Sequence, residues 1–412
     1  MSSGESSGDM PFFDLGGLLG GVGSDPWAMA ARLAVTIATD GGSEGNLDPL
    51  LRIQVEELAR VAELHVAQAT GIVLPSNTSV EAVSRGTWTE QSLDAYRPFF
   101  ERFGDAMASA MEAELAAAGD GGDLEADPLG ALLGQVFTSL GPMLVAASAG
   151  SMLGHLGQRA LGQYDLPIPR SSAKVLVVPV AIDEMAADWG VPVDDLRLWV
   201  LVHELTAHAV LSTPHVGKRV EALLIDFASA FRPNVEMITE QFSSMGGLTD
   251  LSQLQEISES MNDPDTLLSM MRSPAHDLLV PQFDALVATI LGFVGHTVDA
   301  ICRPLVTEND RIRDRFRQRW VDVTPADRFM ERLLGLEVTE GTLGRGDRFI
   351  AGIVERVGDA GLERLWADEL DLPTAAEVDA PGLWLARIGL EGDLGEVATE
   401  IPDDLSGLDD AS

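Results

Sequence analysis

Apolar positions recur at helical spacing along most of this chain and at strand spacing only briefly. Pro26 to Thr39 is amphipathic. A long helix is predicted from Pro49 through His65, capped by Asn46 or Asp48, with Ile53, Leu58, Val61, Leu64 and Val66 as its apolar face. Thr87 or Thr89 opens another helix that continues to about Ala118, and Leu278 to Ile301 reads as a strongly apolar one. The clearest strand is Val175 to Val180, short and β-branched, with Pro179 suiting an edge position. Asp194 or Asp195 is placed to cap the helix that follows, and Ser212-Thr-Pro214 to stop it. Beyond Asp327 short helices alternate with turns, and Gly344-Arg-Gly346 reads as a turn leading into a helix. The pattern predicts a mainly α-helical fold with a small β-sheet.

The same pattern suggests boundaries. Residues 1–24 read as a flexible tail, 25–118 as an N-terminal helical region and 119–127, rich in Gly and Asp, as a linker. Residues 128–390 hold the main core, and 391–412 form an acidic tail. Pro128 to Gln158 contains no Asp, Glu, Lys or Arg, which is long enough to span a bilayer. Gly130/Gly134 and Gly150/Gly154 are spaced four apart, as in membrane helix pairs, but its polar residues, its lack of a flanking basic cluster and Pro142 favour instead a pair of buried helices whose small residues allow close backbone packing.

Charge narrows the partners. Acidic residues outnumber basic ones 65 to 27, for a net charge of −38. A field of that sign opposes phosphate backbones and anionic bilayers, so neither nucleic-acid binding nor stable membrane insertion is expected. Cys302 is the single cysteine, which fits a reducing cytoplasm and an inert core thiol.

The chemistry lies in Trp199-Val-Leu-Val-His203-Glu204-Leu-Thr-Ala207-His208. In the H-E-x-x-H motif two His at i and i+4 share a helix face and one zinc ion, and the Glu is the general base. Here position i+4 is Ala207 and the next His is at i+5. That residue lies about 140° round the helix from His203, against about 40° for i+4. His203 and His208 can share an ion only if a π-bulge shifts the register. On the residues alone, His203 is either a core imidazole or a ligand, and Glu204 either a structural acceptor or a general base. His65, His155, His215 and His276 show no ligand spacing, and no nucleophile elbow or phosphate-binding glycine loop is present.

The flanking segments Tyr164-Asp-Leu-Pro-Ile-Pro-Arg170, Asp188-Trp-Gly-Val191, Pro214-His-Val-Gly-Lys-Arg219 and Pro381-Gly-Leu-Trp384 extend the likeness. Over roughly residues 25–390 the chain resembles a zincin-like family of actinobacterial hydrolases and zinc-dependent metallopeptidases. One branch of that family is labelled as associated with coenzyme F420 biosynthesis. The resemblance implies a zincin-like metalloprotease fold, zinc as cofactor, and a third ligand, a Glu on a later helix. In the matching segment Leu291-Gly-Phe-Val294-Gly-His296, Val294 stands where that Glu is expected. His296 could approach the metal position from this helix.

These observations leave two functional classes. One is a descendant that has lost its zinc, or binds it weakly, and serves as a non-catalytic binding or scaffolding protein for a peptide or protein partner. The other is a zinc-dependent hydrolase of peptide or amide bonds, with Glu204 as general base and His203, helped by His208 or His296, on the metal. The missing ligands at Ala207 and Val294 favour the first.

Overall fold

A computed structural model of the chain describes residues 25–119, 128–170, 172–231 and 273–390. The expected tail at 1–24, residues 120–127 of the expected linker and the acidic tail at 391–412 lie outside the described residues. Among the described residues the architecture is helical, with one two-stranded parallel sheet. In chain order the elements are α1 (Pro26–Ala38), α2 (Pro49–Thr70), β1 (Ser79–Ala82), α3 (Arg85–Gly119) and α4 (Pro128–Arg159). Then come β2 (Lys174–Val177), α5 (Pro179–Trp189), α6 (Val193–Leu211), α7 (Pro214–Ser229) and α8 (Pro274–Cys302). α9 (Asn309–Val321), α10 (Pro325–Leu334), α11 (Glu340–Val357), α12 (Ala375–Asp379) and α13 (Pro381–Arg387) complete the helices of the described residues, with two 3₁₀ segments between α11 and α12.

Local chemistry explains most boundaries. Asp48 caps α2, its carboxylate accepting the Leu50 N–H, with Pro49 in the first turn. Gly71 ends that helix in the left-handed conformation. The strand expected to run to Val180 stops at Val177, because Pro179 serves as the first residue of α5. α6 begins after Pro192, so Asp194 and Asp195 occupy its first turn, where negative charge suits the helix dipole, and neither is the cap. Gly344 and Gly346 lie inside α11 and not in a turn.

Two core contacts rest on small residues. α4 is one continuous helix through Pro142, not the expected pair. A proline removes one backbone hydrogen bond and costs about 3 kcal/mol, and the packing of α4 on α1 and α3 outweighs this. Gly150 and Gly154 lie against Ala30 and Ala34 of α1, and a Cβ on Gly150 would stand 2.6 Å from the Ala30 carbonyl oxygen. α8 and α11 cross where Gly292 meets Gly346, and a Cβ on Gly346 would fall 2.0 Å from the Ala288 oxygen.

One apolar cluster runs from Ala30 to Leu385. Its axis is α6, in which every residue from Leu196 to Leu211 except Leu198 is buried. β1 pairs with β2 from Ser79↔Lys174 to Ala82↔Val177, so the regions on either side of residues 120–127 share the sheet as well as the core. Among the described residues one helix, α8, is long and apolar enough to cross a membrane, and most of its apolar side chains are buried in this core.

α2 departs from the expectation. It buries Val55, Ala59, Ala62, Val66 and Thr70, while Ile53, Val61 and Leu64 point outward. The small side chains let α2 approach α6 closely, and close packing decided which face turned inward.

Gly292→Ala is expected to lower the unfolding free energy by at least about 1–3 kcal/mol, as inserted core methyls do. Gly295→Ala, on the same helix with nothing within 4 Å of its Cβ position, is expected to raise it by up to about 1 kcal/mol. Urea unfolding of the two variants side by side checks both signs.

Candidate functional site

The motif residues are delivered by α6 and met by the chain from Ala160 to Ile168, which is buried throughout. That segment is pinned from three directions. Gly162 bridges antiparallel to Val177, and the Val178 N–H donates to the Leu161 carbonyl at 2.9 Å. The Trp88 indole N–H donates to the Gly162 carbonyl at 2.8 Å. The Gln163 side-chain oxygen accepts the Leu176 N–H at 3.2 Å.

So held, the segment aims two backbone N–H groups at Glu204. One carboxylate oxygen of Glu204, Oε2, accepts from Gln163 N at 2.7 Å and from Tyr164 N at 2.8 Å. The other oxygen, Oε1, lies 3.2 Å from His203 Nδ1. Glu204 is 1 % exposed. Gly162 is required here, since a Cβ on it would stand 2.2 Å from the Glu204 carboxyl carbon. Both carboxylate oxygens therefore have partners within the protein.

His203 lies in an aromatic box. Trp199, one turn earlier, stacks on it at 5.7 Å between ring centres. Phe316 and Trp320 of α9 close over it at 4.9 and 5.5 Å. Its Nδ1 faces the Glu204 carboxylate, and its Nε2 lies on the far side of the ring. Nε2 is buried and has no hydrogen-bond partner, as is also true of the indole nitrogens of Trp199 and Trp320. A buried ion pair of Arg319 with Asp165, at 2.8 Å, ties α9 to the 160–168 segment.

His208 leaves the helix on another side. Its Nδ1 lies 2.7 Å from the Tyr164 hydroxyl and its Nε2 3.5 Å from the Thr78 hydroxyl. Burial pushes the Tyr164 phenol well above its ordinary range, so the hydroxyl donates to Nδ1. Burial also lowers the His208 imidazole to about 4, so it is neutral near pH 7. α6 is regular through His208, with no π-bulge to bring it round to His203. His296 is turned outward on α8 and hydrogen-bonds Asp359 at 3.0 Å.

The expected metal residues His203, His208 and His296 are therefore not brought together. His203 faces α9, His208 faces Tyr164, and His296 faces the 3₁₀ segment after α11. Among the described residues no three His, Cys, Asp or Glu side chains gather where they could hold a metal ion. Ala207 and Val294 are both buried, on helices that pack against each other. Val294 is about 160° round α8 from Gly292, away from the α11 crossing. Cys302 is buried, and desolvation with Asp299 nearby raises its thiol to about 12, which fits an inert core thiol.

Sequence reasoning missed Gly162, Gln163 and Tyr164 as partners of the motif, and Phe316 and Trp320 as the walls around His203. Ile312, Phe316 and Trp320 recur every four residues on an otherwise charged helix, a signal that an aromatic stripe covers something buried. Nothing local marks a backbone N–H about forty residues upstream as the acceptor's partner.

The chain belongs to the zincin-like metallopeptidase family, whose model matches residues 26–385. Its fold is similar to a crystal structure from Chloroflexus aurantiacus described as "a putative hydrolase with a novel fold". The TM-score is 0.56 at 20 % identity, covering 89 % of this chain and 99 % of that one. No curated protein matches the chain.

Two variants probe these contacts. Glu204→Ala strips both N–H groups of their acceptor and is expected to destabilise the fold by about 2–5 kcal/mol. A general base in an open cleft would leave the urea midpoint nearly unchanged. His208 titrates lower in the folded chain than the ordinary 6.5. Unfolding therefore takes up a proton between those values, and stability is expected to fall as pH drops from about 6.5 to about 4. His208→Asn should flatten that part of a stability–pH profile.

Proposed function

We propose that this chain is a zincin-like protein that works without the family's metal, as a non-catalytic binding or scaffolding module for a peptide or protein. The observation that carries this reading is the state of Glu204: a buried carboxylate bound to two backbone N–H groups. A general base must keep a lone pair directed at a substrate or a water, and both oxygens here are directed at the protein. The donor set points the same way. Of the His-His-Glu set that the family implies, His203 alone is present, with Ala207 and Val294 in the other positions. Catalytic zinc sites use three protein ligands, so the residues present do not fit the ion. The net charge of −38 and the single cysteine support a cytoplasmic protein whose partner is neither nucleic acid nor an anionic membrane.

The second reading is an active zinc-dependent hydrolase with Glu204 as base. One observation favours it: His203 Nε2, the nitrogen free to ligate, is buried without a partner. Elemental analysis of protein purified without chelators separates the two. Well under one zinc per chain is expected, and near-stoichiometric zinc lost on His203→Ala would overturn the proposal. The double variant Ala207→His with Val294→Glu is expected to regain zinc binding in a calorimetric titration, since it supplies both absent ligands. A folded double variant that binds no zinc would show that Val294 does not occupy the third-ligand position.

A further inference from the structure

α9 closes over His203, and charge does much of the holding. Its buried side chains are Asn309, Ile312, Phe316 and Trp320, so three apolar residues seat a helix of 13. Arg311, Arg313, Arg315, Arg317 and Arg319 alternate along it against Asp310 and Asp314: five bases and two acids, a net +3 on a chain of −38. Four of these arginines reach other elements. Arg311 donates to the Gly190 carbonyl at 3.2 Å, and Arg313 pairs with Asp299 of α8 at 3.1 Å. Arg317 pairs with Asp347 and Glu340 of α11, and Arg319 with Asp165. Non-helical segments at 303–308 and 322–324 flank α9, which is where backbone rotation could carry it as a unit. The seam beneath it is incomplete. The indole nitrogens of Trp199 and Trp320 and Nε2 of His203 are buried there without hydrogen-bond partners. A buried polar group without a partner bears its full desolvation penalty, which opening to water relieves.

We propose that α9 is a hinged cover over the motif, closed by its arginines and loosened by ionic strength, whose opening bares Trp199 and His203. Attraction between a positive helix and a strongly negative body is long-ranged. Salt cuts its reach from about 30 Å at about 0.01 M to about 3 Å at about 1 M. Ion pairs at the surface weaken in the same direction. The rest of the chain responds in the opposite sense, because salt screens repulsion among its excess acids. Salt therefore loosens α9 while it tightens the fold as a whole, and access to the motif is set by ionic strength. The cover stands under either reading of the metal site.

Acylation of histidines by diethyl pyrocarbonate, mapped by mass spectrometry on the full chain, tests the cover. A chelator is present throughout, so that no metal shields His203. His203 and His208 are both buried, at 3 % and 1 % exposed, but α9 closes over His203 alone, while His208 faces Tyr164. His203 is expected to label at least about tenfold faster in about 1 M than in about 0.01 M sodium chloride, with His208 slow in both. The urea midpoint of the whole chain is expected to rise over the same range. Arg313→Gln with Arg317→Gln removes two partly exposed tethers. It should bring His203 labelling in low salt to within about threefold of the high-salt rate, with circular dichroism unchanged. Hydrogen exchange should follow the same order, the amides of α9 opening before those of α6. His203 and His208 labelling at one rate overturns the proposal, because the chain then opens as a whole. Labelling of His203 that salt slows or leaves unchanged overturns it too, as does exchange in α9 no faster than in α6. A double variant whose His203 labels no faster than the parent's overturns the arginine clasp.

Discussion

The Glu204 carboxylate, buried within α6, accepts the N–H groups of Gln163 and Tyr164, and the arrangement around the motif depends on it. An N–H buried without an acceptor costs roughly 1–3 kcal/mol, so two of them side by side require a strong acceptor at that point. Gly162 leaves the space for it, and Trp88 and β2 hold the segment in register. The contact joins the central helix to the strand that follows the segment. A carboxylate used this way fixes the frame, with both oxygens hydrogen-bonded within the protein.

The imidazoles follow from the same geometry. His203 and His208 are five residues apart and α6 is regular, so they serve different neighbourhoods. His203 fills an aromatic box whose far wall is α9, held by the Arg319–Asp165 ion pair. His208 completes a polar chain from Thr78 to Tyr164 and is kept neutral by burial. Each is explained as packing or as a hydrogen-bond partner, although Nε2 of His203, like the indole nitrogen of Trp199, has no partner among the described residues.

Some of this was legible beforehand. Asp48-Pro49 announced the start of α2 and Ser212-Thr-Pro214 the end of α6. The fold class and family followed from the motif and its flanks, as the match over residues 26–385 bears out. The departure at Ala207 was visible as a plain change of residue. β1 was not legible, because four residues beside a turn carry too little alternation to stand out. Pro142 misled because a proline marks a local cost, and a long, well-packed helix can absorb it.

The sequence by itself determined what is local: helix periodicity, caps, stops, the charge of −38, and a His-Glu motif without its second His. The tertiary structure alone decided which face of α2 turns inward and which group Glu204 binds. α2 carries two apolar arcs, and periodicity cannot rank them. The arc of Ala and Val was buried because only small side chains fit the close approach to α6. The partner of Glu204 is a pair of backbone N–H groups, which every residue but proline possesses. No residue pattern can mark them, and only the fold brings them within 2.8 Å.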